Sequence, residues 1–142
     1  MKISNDAQIV IVKKEAQRFM FLVLRRLDKE KQKTHFRLVK GGLKNGETPE
    51  QAARREALEE ANIDLFTSIN FLCHYNYLGG EVKHEVDVFL AIVDPSTVVS
   101  VDSSDEGGYT IYNGVWMTSD EAIQNLTFKE ERELVKQALQ KI

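Results

Sequence analysis

KGGLKNGETPEQAARREALEEANI, residues 40–63, joins a glycine turn to a helix crowded with carboxylates. Gly41 and Gly42 make the turn. Thr48, Pro49 and Gln51 predict the helix start: Thr as N-cap, Pro at the first helical position, Gln closing a capping box. Ala52, Ala53, Ala57, Leu58 and Ala61 are good helix formers and leave a small-residue face for close packing. Glu56, Glu59 and Glu60 stand three and four positions apart, so they share one side of that helix. Carboxylates so close repel one another unless a cation shares them. Hard oxygen ligands at this density suit Mg²⁺ or Mn²⁺. Arg55 lies four residues before Glu59 and is placed to pair with it. A helix rich in Glu and Arg is most often a solvated surface helix, but that reading leaves the glycines and Glu47 unexplained.

This order of residues resembles the box of the Nudix hydrolases, G-x5-E-x7-R-E-U-x-E-E-x-G-U, where U is a bulky aliphatic. Gly41 takes the first Gly and Glu47 the first Glu. Arg55 and Glu56 take the RE pair, Glu59 and Glu60 the EE pair, and Ile63 the closing U. Two positions depart: Ala57 stands in for U, and Asn62 replaces the late Gly. That Gly falls where a helix ends in left-handed backbone, and Asn is the next most tolerant residue there. Neither departure removes a carboxylate. The resemblance implies an α/β fold, the Nudix α/β/α sandwich around a mixed central sheet, with residues 1–142 forming a single domain.

Apolar runs at residues 7–13 and 19–25 predict two strands joined by a turn at residues 14–17. Residues 28–34 form a charged loop, and residues 35–39 a short strand that enters the glycine turn. Residues 67–78 and 81–93 flank Gly79 and Gly80 as a hairpin. Its pairing puts Phe71, Cys73, Tyr75 and Tyr77 on one face with Val82, His84, Val86 and Val88. Residues 94–108 form a loop carrying a short strand at 97–101, and residues 109–117 a further strand. Ser119 caps a short helix to Leu126. Thr127 and Glu130 form a second capping box for the last helix, to about Lys141.

The bulk numbers narrow the function. The chain has 142 residues, net charge −3, 42% hydrophobic and 29% charged residues. That charge argues against general nucleic-acid binding. One cysteine, Cys73, forms no internal disulfide and fits a reducing cytoplasm; it reads as a small buried hydrophobe. No apolar run reaches membrane-spanning length, and the first residues lack the apolar core of a signal peptide. His35, His74 and His84 lack metal-ligand spacing, and His84 reads as a packed core histidine. Serine-hydrolase and P-loop motifs do not occur.

The resemblance also implies the chemistry: water attacks phosphorus in a nucleoside-diphosphate-X compound while Mg²⁺ or Mn²⁺ neutralises charge on the phosphate oxygens. It assigns Glu56, Glu59 and Glu60 as metal ligands, together with the Gly41 carbonyl. Arg55 orients Glu59. Glu47 holds the loop to the catalytic helix or assists the water. Lys40 and Arg25 hold substrate phosphates, with surface solubility as the plainer reading. Lys40 and Gly41 match the K-G entry of members that cut dinucleoside or diphosphoinositol polyphosphates, although Val39 stands where those carry Pro. In dinucleoside polyphosphate hydrolases a Tyr near Tyr75 and Tyr77 stacks on a base, and Tyr77 is the candidate; core packing is the alternative. Many members draw a further carboxylate from a loop before the last strand. Here Asp102, Asp105 and Glu106 occupy it, and Glu106, with the longer reach, is the candidate base. The expected substrate is a dinucleoside polyphosphate resembling diadenosine tetraphosphate. A sanitiser of nucleoside triphosphates and a non-catalytic nucleotide-binding module are the alternatives, and a homodimer is compatible with either.

Overall fold

The computed structural model describes residues 1–101, 104–106 and 109–142; of residues 104–106, 109 and 112 it describes the backbone. β1 (Lys2–Glu15) and β2 (Arg18–Asp28) are longer than their apolar centres. β3 (Lys33–Arg37), β4 (Val39–Gly42), α1 (Pro49–Ala61), β5 (Ser68–Gly79) and β6 (Val82–Ile92) follow. β7 (Ser104–Glu106), β8 (Tyr109–Thr118), α2 (Ser119–Asn125) and α3 (Lys129–Lys141) complete the chain. The strands among the described residues form one mixed sheet, ordered β5-β6-β1-β2-β8-β7, with β3 added to β2 and β4 to β1. β1 and β6 run parallel. The other pairs are antiparallel.

Alternation along β1 sorts the core into two layers. Ala7, Ile9 and Ile11 pack with Leu22, Leu24 and the alanines of α1. Val10 and Val12 pack with Phe21, Val23, Val86, Val88 and the apolar faces of α2 and α3. The sheet is therefore covered on both sides, the α/β/α sandwich expected.

One edge of β1 is shared. β2 pairs with it from Val12 opposite Phe21 to Glu15 opposite Arg18. Further down, β4 takes the same edge, from Asp6 opposite Gly42 to Ile9 opposite Val39. β1 and β2 thus part like a V, and the chain crosses the opening at Leu38, between β3 and β4.

Several local expectations change. Gly41 and Gly42 lie in β4 and not in a turn. A register shift between Phe71 and Cys73 moves Phe71 off the tyrosine face and onto Phe89. Residues 97–100 form no strand; instead the Ser100 amide donates to the Ala61 carbonyl, docking the loop on the end of α1. Thr118, not Ser119, caps α2, in a capping box with Glu121. α3 starts at Lys129 without a side-chain cap, because the Thr127 hydroxyl accepts from the Phe36 amide of β3.

Candidate active site

α1 begins and ends as its sequence predicts. The Thr48 hydroxyl accepts from the Gln51 amide, the Gln51 side chain accepts from the Thr48 amide, and Pro49 opens the helix. Asn62 closes it in left-handed backbone at φ 56°. Its side chain donates to the Ser100 carbonyl at 2.7 Å.

Arg55 is the hub of this end of the molecule. Its guanidinium donates to both Glu47 oxygens, at 2.7 and 3.0 Å, and to the Gly42 carbonyl at 2.8 Å. It also donates to Glu56 at 2.7 Å and Glu59 at 3.1 Å. The expected pairing with Glu59 is present, but Glu47 and Glu56 hold the shorter bonds. Glu47 in turn accepts from the Lys44 amide at 2.8 Å. One guanidinium therefore ties strand, loop and helix together. Arg55 and the Lys44 amide hold the Glu47 carboxyl down to about 2, and the bonds to Glu47 and Glu56 raise Arg55 above its ordinary value.

Glu56 and Glu60 are buried, at 8% and 6% exposure, while Glu59 is more open. The Glu56 carboxylate lies against Gly41, in the space a Cβ would need. Among the described residues no three His, Cys, Asp or Glu side chains gather as a finished ligand set; Arg55 engages oxygens of both Glu56 and Glu59. The donor set nevertheless fits a divalent cation. Glu47, Glu56 and Glu59 bond one arginine, Glu60 lies buried on the same helix as Glu56 and Glu59, and all four offer hard oxygen. Only glycine at position 41 lets backbone and Glu56 approach so closely.

A second constellation lies on the other layer. Alternation along β4 sends Lys40 away from Gly41, toward α3. Its ammonium donates to Asp6 Oδ2 and to the Tyr77 hydroxyl, each at 2.8 Å. Asp6 is buried and also binds His84 Nδ1 at 2.7 Å and the Ser4 hydroxyl at 2.7 Å. Burial pushes the Asp6 carboxyl up, but the Lys40, Ser4 and His84 bonds outweigh it and hold it below its ordinary value. His84 is not a packed core residue: it is part-exposed and stacks on Tyr77 at 4.6 Å with the rings 5° from parallel.

Beside this group, Tyr75 donates to Gln8 Oε1 at 2.6 Å, and Gln8 Nε2 donates to Glu131 at 2.6 Å. Glu131 is buried and also accepts from Arg37 Nε and from the Leu38 amide, each at 2.9 Å. Arg37 lies over the Phe128 ring at 4.5 Å. Arg37, Tyr75, Tyr77, His84 and Phe128 line a cleft of about 460 Å³. Sequence reasoning found Tyr77 and Lys40 but missed Asp6, Gln8, Arg37, Phe128 and Glu131. The one local signal was a polar pair, Asp6 and Gln8, entering an otherwise apolar run.

Arg25 is not among the residues lining this cleft; it sits on β2 opposite Phe36 and Asn113. The backbone of Glu106 pairs with Tyr109 in β7. The side chains of Glu106 and Asp105, and Asp102 altogether, lie outside the described residues.

The family profile of the NUDIX domain matches residues 4–139. The chain belongs to the Nudix family and is a Nudix pyrophosphohydrolase, an enzyme acting on phosphorus-containing acid anhydrides. Nudix hydrolases generally require divalent metal ions. Among solved structures, a binary complex of Caenorhabditis elegans Ap4A hydrolase is 26% identical, with TM-score 0.76, covering 94% of this chain and 93% of that one. The NUDIX domain of Shewanella oneidensis NrtR with ADP ribose has TM-score 0.81 at 14% identity, covering 99% and 89%. The MutT protein of Methanosarcina mazei has TM-score 0.75 at 18% identity, covering 99% and 95%. A comparison with curated proteins gives no significant match. No helix among the described residues is long and apolar enough to cross a membrane.

Proposed function

We propose that residues 1–142 act as one domain that hydrolyses a dinucleoside polyphosphate of the diadenosine tetraphosphate type. The observation that carries this reading is on β4. Gly41 faces the carboxylate helix while its neighbour Lys40, on the other side of the strand, bonds Tyr77 in the wall of the aromatic cleft. A ligand with a planar base at one end and a long phosphate chain suits two sites joined in that way. The 26% identity to an Ap4A hydrolase over nearly the whole chain supports it.

In this reading Glu56, Glu59, Glu60 and the Gly41 carbonyl hold Mg²⁺ or Mn²⁺. The bound cation supplies charge neutralisation on the phosphate oxygens and a more acidic water. Arg55 holds Glu56 and Glu59 in place, and Glu47 fixes Arg55. Glu106 takes the proton of the attacking water. Water oxygen bonds to phosphorus, the anhydride P–O bond breaks, and the leaving phosphate departs with the bond electrons. Lys40, Tyr77 and Arg25 bind substrate. The single free cysteine agrees with a cytoplasmic setting.

Two measurements test the proposal. Glu60→Gln lowers kcat by about a hundredfold or more while circular dichroism and thermal unfolding stay close to wild type; unchanged turnover at saturating Mg²⁺ removes Glu60 from the site. Across a panel of dinucleoside polyphosphates, nucleotide sugars, nucleoside triphosphates, ADP-ribose and capped RNA, diadenosine tetraphosphate or a near relative has the highest kcat/KM. A nucleoside triphosphate preferred by about tenfold, ~1.4 kcal/mol of transition-state preference, makes the enzyme a triphosphate sanitiser instead.

A further inference from the structure

We propose that Tyr77 binds the substrate through its hydroxyl, as a hydrogen-bond donor to a phosphate oxygen, and not through its ring as a platform for the base. This role rests on reading the cleft as the nucleotide end of the site. It follows from an inventory of protons. A lysine ammonium has three donors and no acceptor. The 2.8 Å bond between Lys40 and Tyr77 therefore has one polarity: Nζ donates and the phenolic oxygen accepts. Lys40 cannot turn away freely, because Asp6, only 4% exposed, binds it at 2.8 Å from below the cleft. The Tyr77 proton is left over. Among the described residues no side chain or carbonyl accepts it.

Tyr75, its neighbour on the same face, is the opposite case. Its proton goes inward to Gln8 Oε1, and the Gln8 amide is oriented by its bond to Glu131. Two tyrosines on one strand thus have different polarities: one is spent on the protein and the other is available to a ligand. The Tyr77 ring is also less available than its hydroxyl, since His84 covers one face at 4.6 Å.

Position completes the case. Lys40 does not line the cleft and Tyr77 does. The hydroxyl is the atom through which the ammonium's polarisation reaches a bound ligand. A hydroxyl whose oxygen already accepts from a cation is a stronger donor than a free one, and its best partner is an anionic oxygen. Arg37, in the same lining, adds a second cation for a phosphate group.

The test uses the full chain with Mg²⁺, with ADP and adenosine as probes. ADP binding is read by calorimetry and adenosine by NMR titration. Tyr77→Phe weakens ADP by about tenfold or more, the loss of one charge-assisted bond, and leaves adenosine within about twofold. In a Lys40→Met background the same change has little further effect, because the hydroxyl has lost its orienting partner. A Tyr77→Phe protein that binds ADP like wild type, beside a Tyr77→Leu protein that loses ADP and adenosine equally, overturns the hydroxyl role in favour of stacking. Full additivity of Lys40→Met and Tyr77→Phe overturns it as well. If the wild-type chain binds neither probe, the nucleotide reading of the cleft fails and the Tyr77 role with it; the wild-type titration separates that outcome from the others.

Discussion

Gly41 and Gly42 are adjacent, both lie in β4, and neither has the positive φ that makes glycine necessary in a turn. Their reasons for being glycine differ. A Cβ on Gly41 would fall on the Glu56 carboxylate, whereas on Gly42 its nearest atom would be Asp6 Oδ1 at 3.8 Å, an ordinary contact. The Glu56 carboxylate is the far end of a flexible side chain, so a methyl at position 41 moves it without unfolding anything. Gly41→Ala is therefore expected to lower kcat by about a hundredfold, the scale of a misplaced ligand or its support, with the melting temperature nearly unchanged. Gly42→Ala stays within about twofold of wild-type activity, since nothing it meets must move. Steady-state kinetics beside thermal melts decide this, and equal activity in the two variants would overturn the proposal that Glu56 is a metal ligand.

At the level of elements, α1 shows how much a local sequence can specify. Its cap, its first proline and its left-handed exit involve residues within a few positions of one another, and all were legible. Asn62 is the informative end. Left-handed backbone costs a non-glycine residue roughly 1–2 kcal/mol, less for Asn. The Asn62 bond to the Ser100 carbonyl offsets part of that and ties the following loop to the helix. Asn62→Ala should therefore destabilise by about 1–2 kcal/mol, while Asn62→Gly, which gains backbone freedom and loses the bond, should change stability by no more than ~0.5 kcal/mol. Urea unfolding checks both; an Ala variant as stable as the Gly variant would mean that the backbone conformation carries no cost there. Elements set by distant partners were not legible. Thr127 and Glu130 spell a capping box, but Phe36 of β3 takes the Thr127 hydroxyl and α3 starts a residue later. The alternation of β5 spells one face for Phe71 through Tyr77, but an irregularity in its pairing with β6 turns Phe71 away. Half of the candidate site shares that limit. The carboxylate helix is contiguous in sequence, whereas the cleft draws Arg37, Tyr77, His84 and Glu131 from strands and a helix far apart in the chain.

For the whole molecule, the weak place is the V between β1 and β2, where Leu38 crosses from one strand's partner to the other's. A backbone amide in such a gap has no strand to pair with, and a buried unpaired amide is costly. Glu131 fills the need from the first turn of α3. Its two oxygens accept from three donors: the Leu38 amide at the crossing, Gln8 on β1 and Arg37 at the end of β3. Burial pushes the Glu131 carboxyl up, and Arg37 and the Leu38 amide pull against it. The group therefore joins the two arms of the V to the helix layer and holds Arg37 at the cleft. Glutamine has the same shape but not the same inventory. Its amide nitrogen must replace one oxygen, and whichever side it takes, a donor then faces a donor. Glu131→Gln is expected to cost about 2–4 kcal/mol, the range for breaking a buried hydrogen-bonded charge, read as a lower urea midpoint with an unchanged slope. It should also raise KM through the loosened Arg37. The neighbouring Glu130→Gln is the control: Glu130 is exposed on the same turn, and the change should shift stability by less than ~0.5 kcal/mol. Equal midpoints for the two variants would mean that the opening between β1 and β2 is held by packing alone.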